Sequence, residues 1–383
     1  METLDKAGVY MNRKPSIMET KHRNKVKIVK FIYKKGETSK QEISRELGLS
    51  MPTVLQNVKE LLERGIVIET GKYQSTGGRK AGALSLAKDH KYAVGIDVTR
   101  NHISMVLVDT SGTVSVYKRS KRFYEDSVEY YESLGVELDS FLAENHIDKN
   151  KVLGVGLSIP GIVDTTNSIL LRTHVFQVSN LSLKKFSQFL KYEVAFSNDA
   201  NSAAYAELKE AAKNSIYLSL SNTVGGAVYI HDNIYMGDNY KSAEFGHMVI
   251  EPGGRTCYCG KKGCMDAYCS AQTLSKYTDD NLDLFFLKLK EGNAECMKAW
   301  QDYLDYLAIS IANLRMAFDC DIILGGYLGG YLEDYLAELG YQVMKYNNFD
   351  IDTTYIKSAA YKKEAAAVGA GIQFIEKYFD SID

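Results

Sequence analysis

Residues 243–270 read AEFGHMVIEPGGRTCYCGKKGCMDAYCS, and half of the chain's six cysteines fall inside it between positions 257 and 264. Gly253, Gly254, Gly260 and Gly263 separate the polar residues and allow the tight turns that several ligands on one short loop require. His247, Cys257, Cys259 and Cys264 therefore read as a closed structural zinc site, the competing reading being unrelated thiols that share a loop. Cys269 is left over and reads as buried filler.

The longer pattern, Glu244-x-x-His247 followed by Cys-x-Cys-Gly-x-x-Gly-Cys-x-Asp, resembles the signature of the ROK family (repressor, open reading frame, kinase). That family groups bacterial sugar-responsive repressors with sugar kinases. The resemblance implies a two-lobed, actin-like α/β domain of the ROK sugar kinase type over residues 89–383, with its zinc loop at 247–264. It further implies that Glu244, His247 and Asp266 face a monosaccharide while the zinc holds their loop in shape. Asp266 departs from the family, which more often has glutamate there, one methylene longer.

Composition sets the frame around this loop. The chain has 383 residues, 45% of them hydrophobic, enough for two or three packed domains. It has no apolar run of the roughly 18 residues a membrane span needs, and Met1 to Ile17 is too polar for a signal peptide, so a soluble cytoplasmic protein without a membrane partner is expected. Reduced thiols suit metal binding better than disulfides in that compartment. The net charge of −2 conceals an asymmetry: residues 12–91 hold 18 Lys and Arg against 8 Asp and Glu, a balance of +10, and the remainder carries −12. A basic head precedes an acidic body.

The head, residues 12–88, reads as a winged helix-turn-helix with a basic wing and linker. Val26, Val29, Ile32 and Tyr33 give Arg23 to Lys35 a helical spacing that ends at Gly36. Thr38 or Ser39 can cap a second helix through Leu47, and Gly48-Leu49-Ser50 turns into a third that ends at Gly65, with Pro52 in its first turn. If Val54, Val58, Leu61 and Leu62 face the core, then Ser50, Met51, Thr53, Gln56, Asn57 and Lys59 are left to meet operator DNA, amides reading base edges and the lysine finding phosphate. The alternative is a solvated polar face. Ile66 to Glu69 and Ala83 to Leu86 read as wing strands around a loop whose Arg79 and Lys80 suit a minor groove or, more plainly, a linker. The ROK repressors that this chain resembles carry a similar Thr-Gly-Gly-Arg segment there.

In the body, three short strands (Tyr92 to Val98, His102 to Asp109, Thr113 to Lys118) precede an amphipathic segment from Asp126 to Asn145. Kinases of the fold that it resembles place a glycine-rich phosphate loop after the first strand. Here Gly95-Ile96-Asp97 runs into Val98-Thr99-Arg100-Asn101, and the second such loop reads Ser221-Asn222-Thr223-Val224-Gly225-Gly226, so no ATP is expected. Pro160-Gly161 follows a buried strand and is placed to bring a backbone amide to a hydroxyl-rich ligand, although turn chemistry alone explains it nearly as well. Asn198-Asp199 opens the next helix. In ROK proteins the matching pair holds sugar hydroxyls and the aspartate is the kinases' general base; Asn198 as helix cap and Asp199 as a charge at the helix N-terminus is the plainer reading. Trp300 reads as core, and Tyr327 and Tyr331 as possible fillers of a vestigial adenosine site. Together these readings lead to a homodimeric repressor that leaves its operator on binding a sugar, xylose weakly favoured, with a ROK-type sugar kinase as the alternative.

Overall fold

The computed structural model describes residues 16–72, 82–207, 213–231, 233–361 and 364–383. These described residues fall into two compact units: those from 16 to 91 with Asp109–Thr113 and Ile375–Asp383, and those from 92 to 108 with those from 114 to 374.

In the first unit, helix α1 (Ile17–Lys35) begins earlier than its apolar spacing predicts. Ser16 accepts from the Glu19 amide at 3.1 Å while the Glu19 carboxylate accepts from the Ser16 amide at 2.6 Å, a reciprocal capping box. Helix α2 (Lys40–Leu47) is capped by the Ser39 hydroxyl, and Thr38 instead donates to the Glu42 carboxylate at 2.7 Å. Helix α3 (Met51–Glu63) follows, capped by Ser50. Ile28, Val29, Ile32, Ile43, Val54, Val58 and Leu61 form the core between the helices, whereas Leu62 is only half-buried. The wing strands Val67–Lys72 and Gly82–Leu86 pair antiparallel, and a strand that the sequence did not suggest, Glu37–Ser39, completes the sheet. Nine residues from the far end of the chain close this unit. Phe379 meets the Tyr33 ring edge-on at 5.2 Å, the Ile382 carbonyl lies 2.9 Å from His22 Nδ1, and Tyr378 and His90 share a hydrogen bond of 2.7 Å.

The second unit has two lobes built on one plan. The first sheet runs in the order Val194–Asn198, Val152–Ile159, Tyr92–Val98, His102–Asp109, Val114–Lys121, the first three strands parallel. The second runs Asn233–Ile234, Val224–Ile230, Ser215–Leu220, Asp321–Gly325, Ile356–Ser358, again a meander extended by parallel strands. A small antiparallel sheet (Ile162–Asp164, Ile169–Thr173, Val178–Ser182) is added to the first lobe. Leu134, Leu138 and Phe141 of the helix Val128–Glu144 share a core with Ile96, Leu107 and Leu157. In the second lobe Trp300, Leu304, Leu307 and Ile311 of the helix Ala294–Phe318 pack with Phe285, Ile216 and Leu324, which makes Trp300 a core residue as expected. The helix Ala365–Asp380 lies so close to the first sheet that a Cβ on Gly95 would fall 1.7 Å from the Ala367 carbonyl oxygen, and only glycine fits there. Among the described residues, no helix is long and apolar enough to cross a membrane.

Candidate ligand cavity and metal-binding loop

A cavity of about 290 Å³ opens between the two lobes, near the lower end of the range for small-molecule sites, which begins at roughly 300 Å³. Strand ends deliver its polar groups. Asp199 opens the helix Asp199–Glu207 directly after the strand Val194–Asn198, and its Oδ1 accepts from the Ala200 amide at 2.9 Å. Burial pushes the Asp199 carboxyl up to about 6. Glu244 converges on the same space, and its carboxyl is also raised, first by desolvation and then by Asp199. Two carboxylates sharing one cleft are strong acceptors in need of donors, and a polyol supplies them.

Asn198 lines the cavity with both ends of its amide engaged: Nδ2 donates to the Gly161 carbonyl at 2.8 Å, and Oδ1 accepts from the Asn201 amide at 3.1 Å. It thereby ties the Pro160-Gly161 turn to the helix start. Gly161 has φ +123°, and a Cβ there would meet the Arg172 carbonyl at 2.5 Å, so the turn requires glycine. Pro160, Gly161, Asn198, Asp199, Glu244 and His247 are thus brought together as the sequence suggested. Asp266 is not among the lining residues. It is buried, and its Oδ2 accepts from the Val224 amide at 2.6 Å. The short carboxylate is spent inside the lobe, holding the Ser221–Gly226 turn, so the expectation that it faces the ligand is corrected. Its pKa nonetheless rises to about 6, because burial outweighs that one hydrogen bond.

Arg172, His174, Tyr240, Lys241 and Tyr258 also line the cavity and were not singled out from the sequence. His174 follows the strand Ile169–Thr173 and meets the Tyr258 ring edge-on at 5.4 Å. Nothing local marks it. Tyr258 was hidden in plain view as the residue between two cysteine ligands.

His247, Cys257, Cys259 and Cys264 converge until one ligand atom from each lies within 4.8 Å of all the others. His247 Nδ1 is 3.9 Å from Cys257 Sγ, and Cys259 Sγ is 3.8 Å from Cys264 Sγ. The other imidazole nitrogen, Nε2, lies 3.2 Å from the Tyr258 hydroxyl, an arrangement that fixes the ring and leaves Nδ1 for a metal. Cys269 is fully buried, as expected, and its thiol is pushed well up by burial.

At the two turns compared above with phosphate loops, several backbone amides are engaged by protein acceptors. The Thr99 amide donates to the His102 carbonyl at 2.9 Å, and the Thr99 hydroxyl both accepts from the His102 amide and donates to that carbonyl, each at 3.0 Å. Asp97 is buried, accepts from Ser158 at 2.7 Å and is raised to about 7 by burial. In the second turn the Ser221 amide donates to Thr223, the Val224 amide to Asp266, and the Ser221 hydroxyl accepts from the Tyr327 amide at 3.0 Å. Tyr331 stacks on Phe286 at 4.2 Å, a packing role rather than a bare filler.

On helix α3, Gln56 and Lys59 are exposed, Met51 and Thr53 are half-buried, and the Ser50 hydroxyl is occupied as the helix cap. Asn57 turns inward: it is 3% exposed and its Nδ2 donates to the Thr53 carbonyl at 2.7 Å, which corrects its expected place among the outward residues. Position 57 lies one turn from Val54 and Leu61 and shares their buried face. Arg79 and Lys80 lie outside the described residues.

Comparison with known proteins gives the arrangement its context. The model of the ROK family matches residues 93–377, and a winged helix-turn-helix DNA-binding model matches residues 21–68. The xylose repressor of Bacillus spizizenii is 30% identical over 94% of this chain and 96% of its own length. The transcriptional repressor Mlc of Escherichia coli is 23% identical over 69% of this chain and 66% of its own. A crystal structure of a ROK family transcriptional regulator, described as a homolog of E. coli MLC, shares the fold with a TM-score of 0.71 at 19% identity, covering 94% of this chain and 97% of that one. A Streptomyces griseus ROK family glucokinase in complex with glucose and AMPPNP has a TM-score of 0.59 at 20% identity, over 74% and 98% of the two chains. With a winged helix-turn-helix ahead of an actin-like, kinase-fold body, and with the family's pattern matched over most of its length, this chain belongs to the ROK family.

Proposed function

We propose that this chain is a sugar-responsive transcriptional repressor, whose head (residues 12–88) binds operator DNA and whose body (residues 89–383) binds a monosaccharide that releases it. The observation that carries this reading is the convergence of Asp199 and Glu244 in one inter-lobe cavity on a chain that also holds a winged helix. The names of its relatives, xylose repressor above all, favour xylose as the effector. Two heads on a homodimer would meet DNA about one helical turn apart, so a change in their spacing on ligand binding weakens the complex.

Zinc at His247, Cys257, Cys259 and Cys264 belongs to this proposal. The donor set of three thiolates and one imidazole suits it, and bonds of about 2.0–2.3 Å would draw the present cluster slightly inward. Bound there, zinc supplies a cross-link and no reaction. A ROK sugar kinase is the competing function. The backbone amides of Thr99, Ser221 and Val224 are already committed to protein acceptors, which supports a chain that binds its sugar without a phosphoryl donor.

The test combines a thermal-shift screen of monosaccharides with gel shifts on selected DNA, with and without the sugar that stabilises best. A raised melting temperature and a weakened DNA complex with the same sugar are expected. ATP consumption with any sugar of the panel would overturn the assignment in favour of the kinase.

A further inference from the structure

Helix α3 presents an outward strip at positions 52, 55, 56 and 59, the i, i+3, i+4, i+7 spacing of one helix face, and Pro52, Leu55, Gln56 and Lys59 are all exposed. The strip is half apolar. Leu55 is 49% exposed and is the one exposed leucine among the described residues of the head, where Leu61, Leu84 and Leu86 are buried and Leu47, Leu49 and Leu62 partly so. Its neighbours on the next positions, Val54, Asn57 and Val58, fill the inward face, so helical geometry holds Leu55 outward and nothing in the core competes for it. Gln56 is its polar neighbour, touching only Glu60 at a long 3.5 Å and therefore free to turn its amide to another partner. With Asn57 buried, Gln56 is the only side-chain amide left on this face.

The basic charge of the head and the matched DNA-binding model fix what covers such a strip, namely the floor of a major groove. There only thymine offers an apolar group, its C5-methyl, and adenine offers the N6/N7 pair that an amide reads bidentately. We infer that Leu55, backed by Pro52, is a specificity-determining residue that packs on a thymine methyl beside an adenine read by Gln56, so that the operator half-site holds A·T pairs under the middle of α3. This rests on the DNA-binding function proposed above.

Deoxyuridine differs from thymidine only by that methyl, which makes the test direct. Duplexes are selected from a random-sequence library with the full-length protein, then resynthesised with single thymidines replaced by deoxyuridine, and binding is measured for the parent, Leu55→Ala and Leu55→Met. The parent should lose about fourfold at one or two thymines per half-site, the worth of burying one methyl group. Leu55→Ala should bind the two forms of those duplexes equally, while Leu55→Met keeps the discrimination. Because Leu55 is exposed, the alanine variant should melt at the parent's temperature, so a loss of discrimination reports on contact and not on folding. The inference is overturned if the parent binds both forms equally, or if Leu55→Ala keeps the parent's ratio. A selection that enriches no sequence would overturn the proposed DNA-binding function itself, an outcome separable from the others.

Discussion

The cysteine loop and the carboxylate cavity adjoin one another and share His247, yet they are opposite kinds of site. In the loop, side chains converge on each other: every ligand atom lies within 4.8 Å of the rest, all drawn from positions 247 to 264. In the cavity, Asp199 and Glu244 face a gap, and they arrive from separate lobes. The difference shows how one imidazole can serve two purposes, with Nδ1 turned to the thiolates and Nε2 to the hydroxyl of Tyr258, a cavity-lining residue. A site that is complete in itself can act as the rigid wall of one that awaits a partner.

Removing the metal ligand should have the largest effect, because it takes away both sites at once. Cys259→Ser is expected to abolish stoichiometric zinc in elemental analysis and to lower the melting temperature of the body by several degrees, roughly the 2 kcal/mol or more typical of a broken structural site. Sugar binding should disappear with it. If zinc is lost and sugar affinity is unchanged, the wall is not shared.

Next in size is Asp199→Ala, which breaks the cavity alone. Calorimetry should find sugar affinity reduced by about 1–3 kcal/mol, the cost of leaving a hydroxyl unpartnered, with zinc content and sugar-free DNA binding unchanged. Such a protein would repress and resist induction.

Acidity sharpens the contrast further. Asp199 at about 6 and Asp97 at about 7 bind protons more tightly folded than unfolded, where carboxyls titrate near 4. Over the window from roughly pH 4 to 7 the folded state holds the extra proton, so the contribution of these groups to stability grows as pH falls through 7 and fades as it rises. Sugar affinity should move the other way, because a protonated Asp199 accepts fewer hydroxyl hydrogen bonds. Melting curves and titrations at pH 5 and pH 8 would therefore diverge, and Asp199→Asn should flatten the affinity trend while only reducing the melting trend, because Asp97 still titrates. Parallel trends would contradict the acceptor role. The smallest effect expected is that of Tyr258→Phe, which deletes one hydrogen bond at His247 Nε2 and should cost sugar binding about 1 kcal/mol while leaving zinc in place.

Legibility followed the range of each interaction. The cluster was readable because its spacing is local, and the helix ends were readable because Ser39, Ser50, Gly36 and Gly48 act on their own neighbours. Asn57 was misplaced by helical phase, since a polar residue on a buried face looks no different in sequence from one on the open face. Asp266 was misplaced by reach: its pattern position is right, but the carboxylate stops at the Val224 amide. His174 and Arg172 enter the cavity by way of a three-stranded sheet whose pairing spans residues 162 to 182, and no local composition announces that. The same limit hid the union of residues 375–383 with the head, a contact more than 300 positions long in sequence, as between His22 and Ile382.

That union has a genetic reading. Phe379 and Ile382 are as deeply buried as Ile32 of α1, and Lys30 pairs with Asp380 at 2.6 Å, so codons 375–383 encode part of the wall of a domain whose helix α1 is encoded by codons 17–35. Nonsense alleles just ahead of codon 375 should therefore fall into the same phenotypic class as missense alleles in α1, constitutive and not uninducible. A gene fragment stopped at codon 91 would likewise encode a head with an open flank, and swapping heads between relatives requires exchanging codons 375–383 together with those of the head.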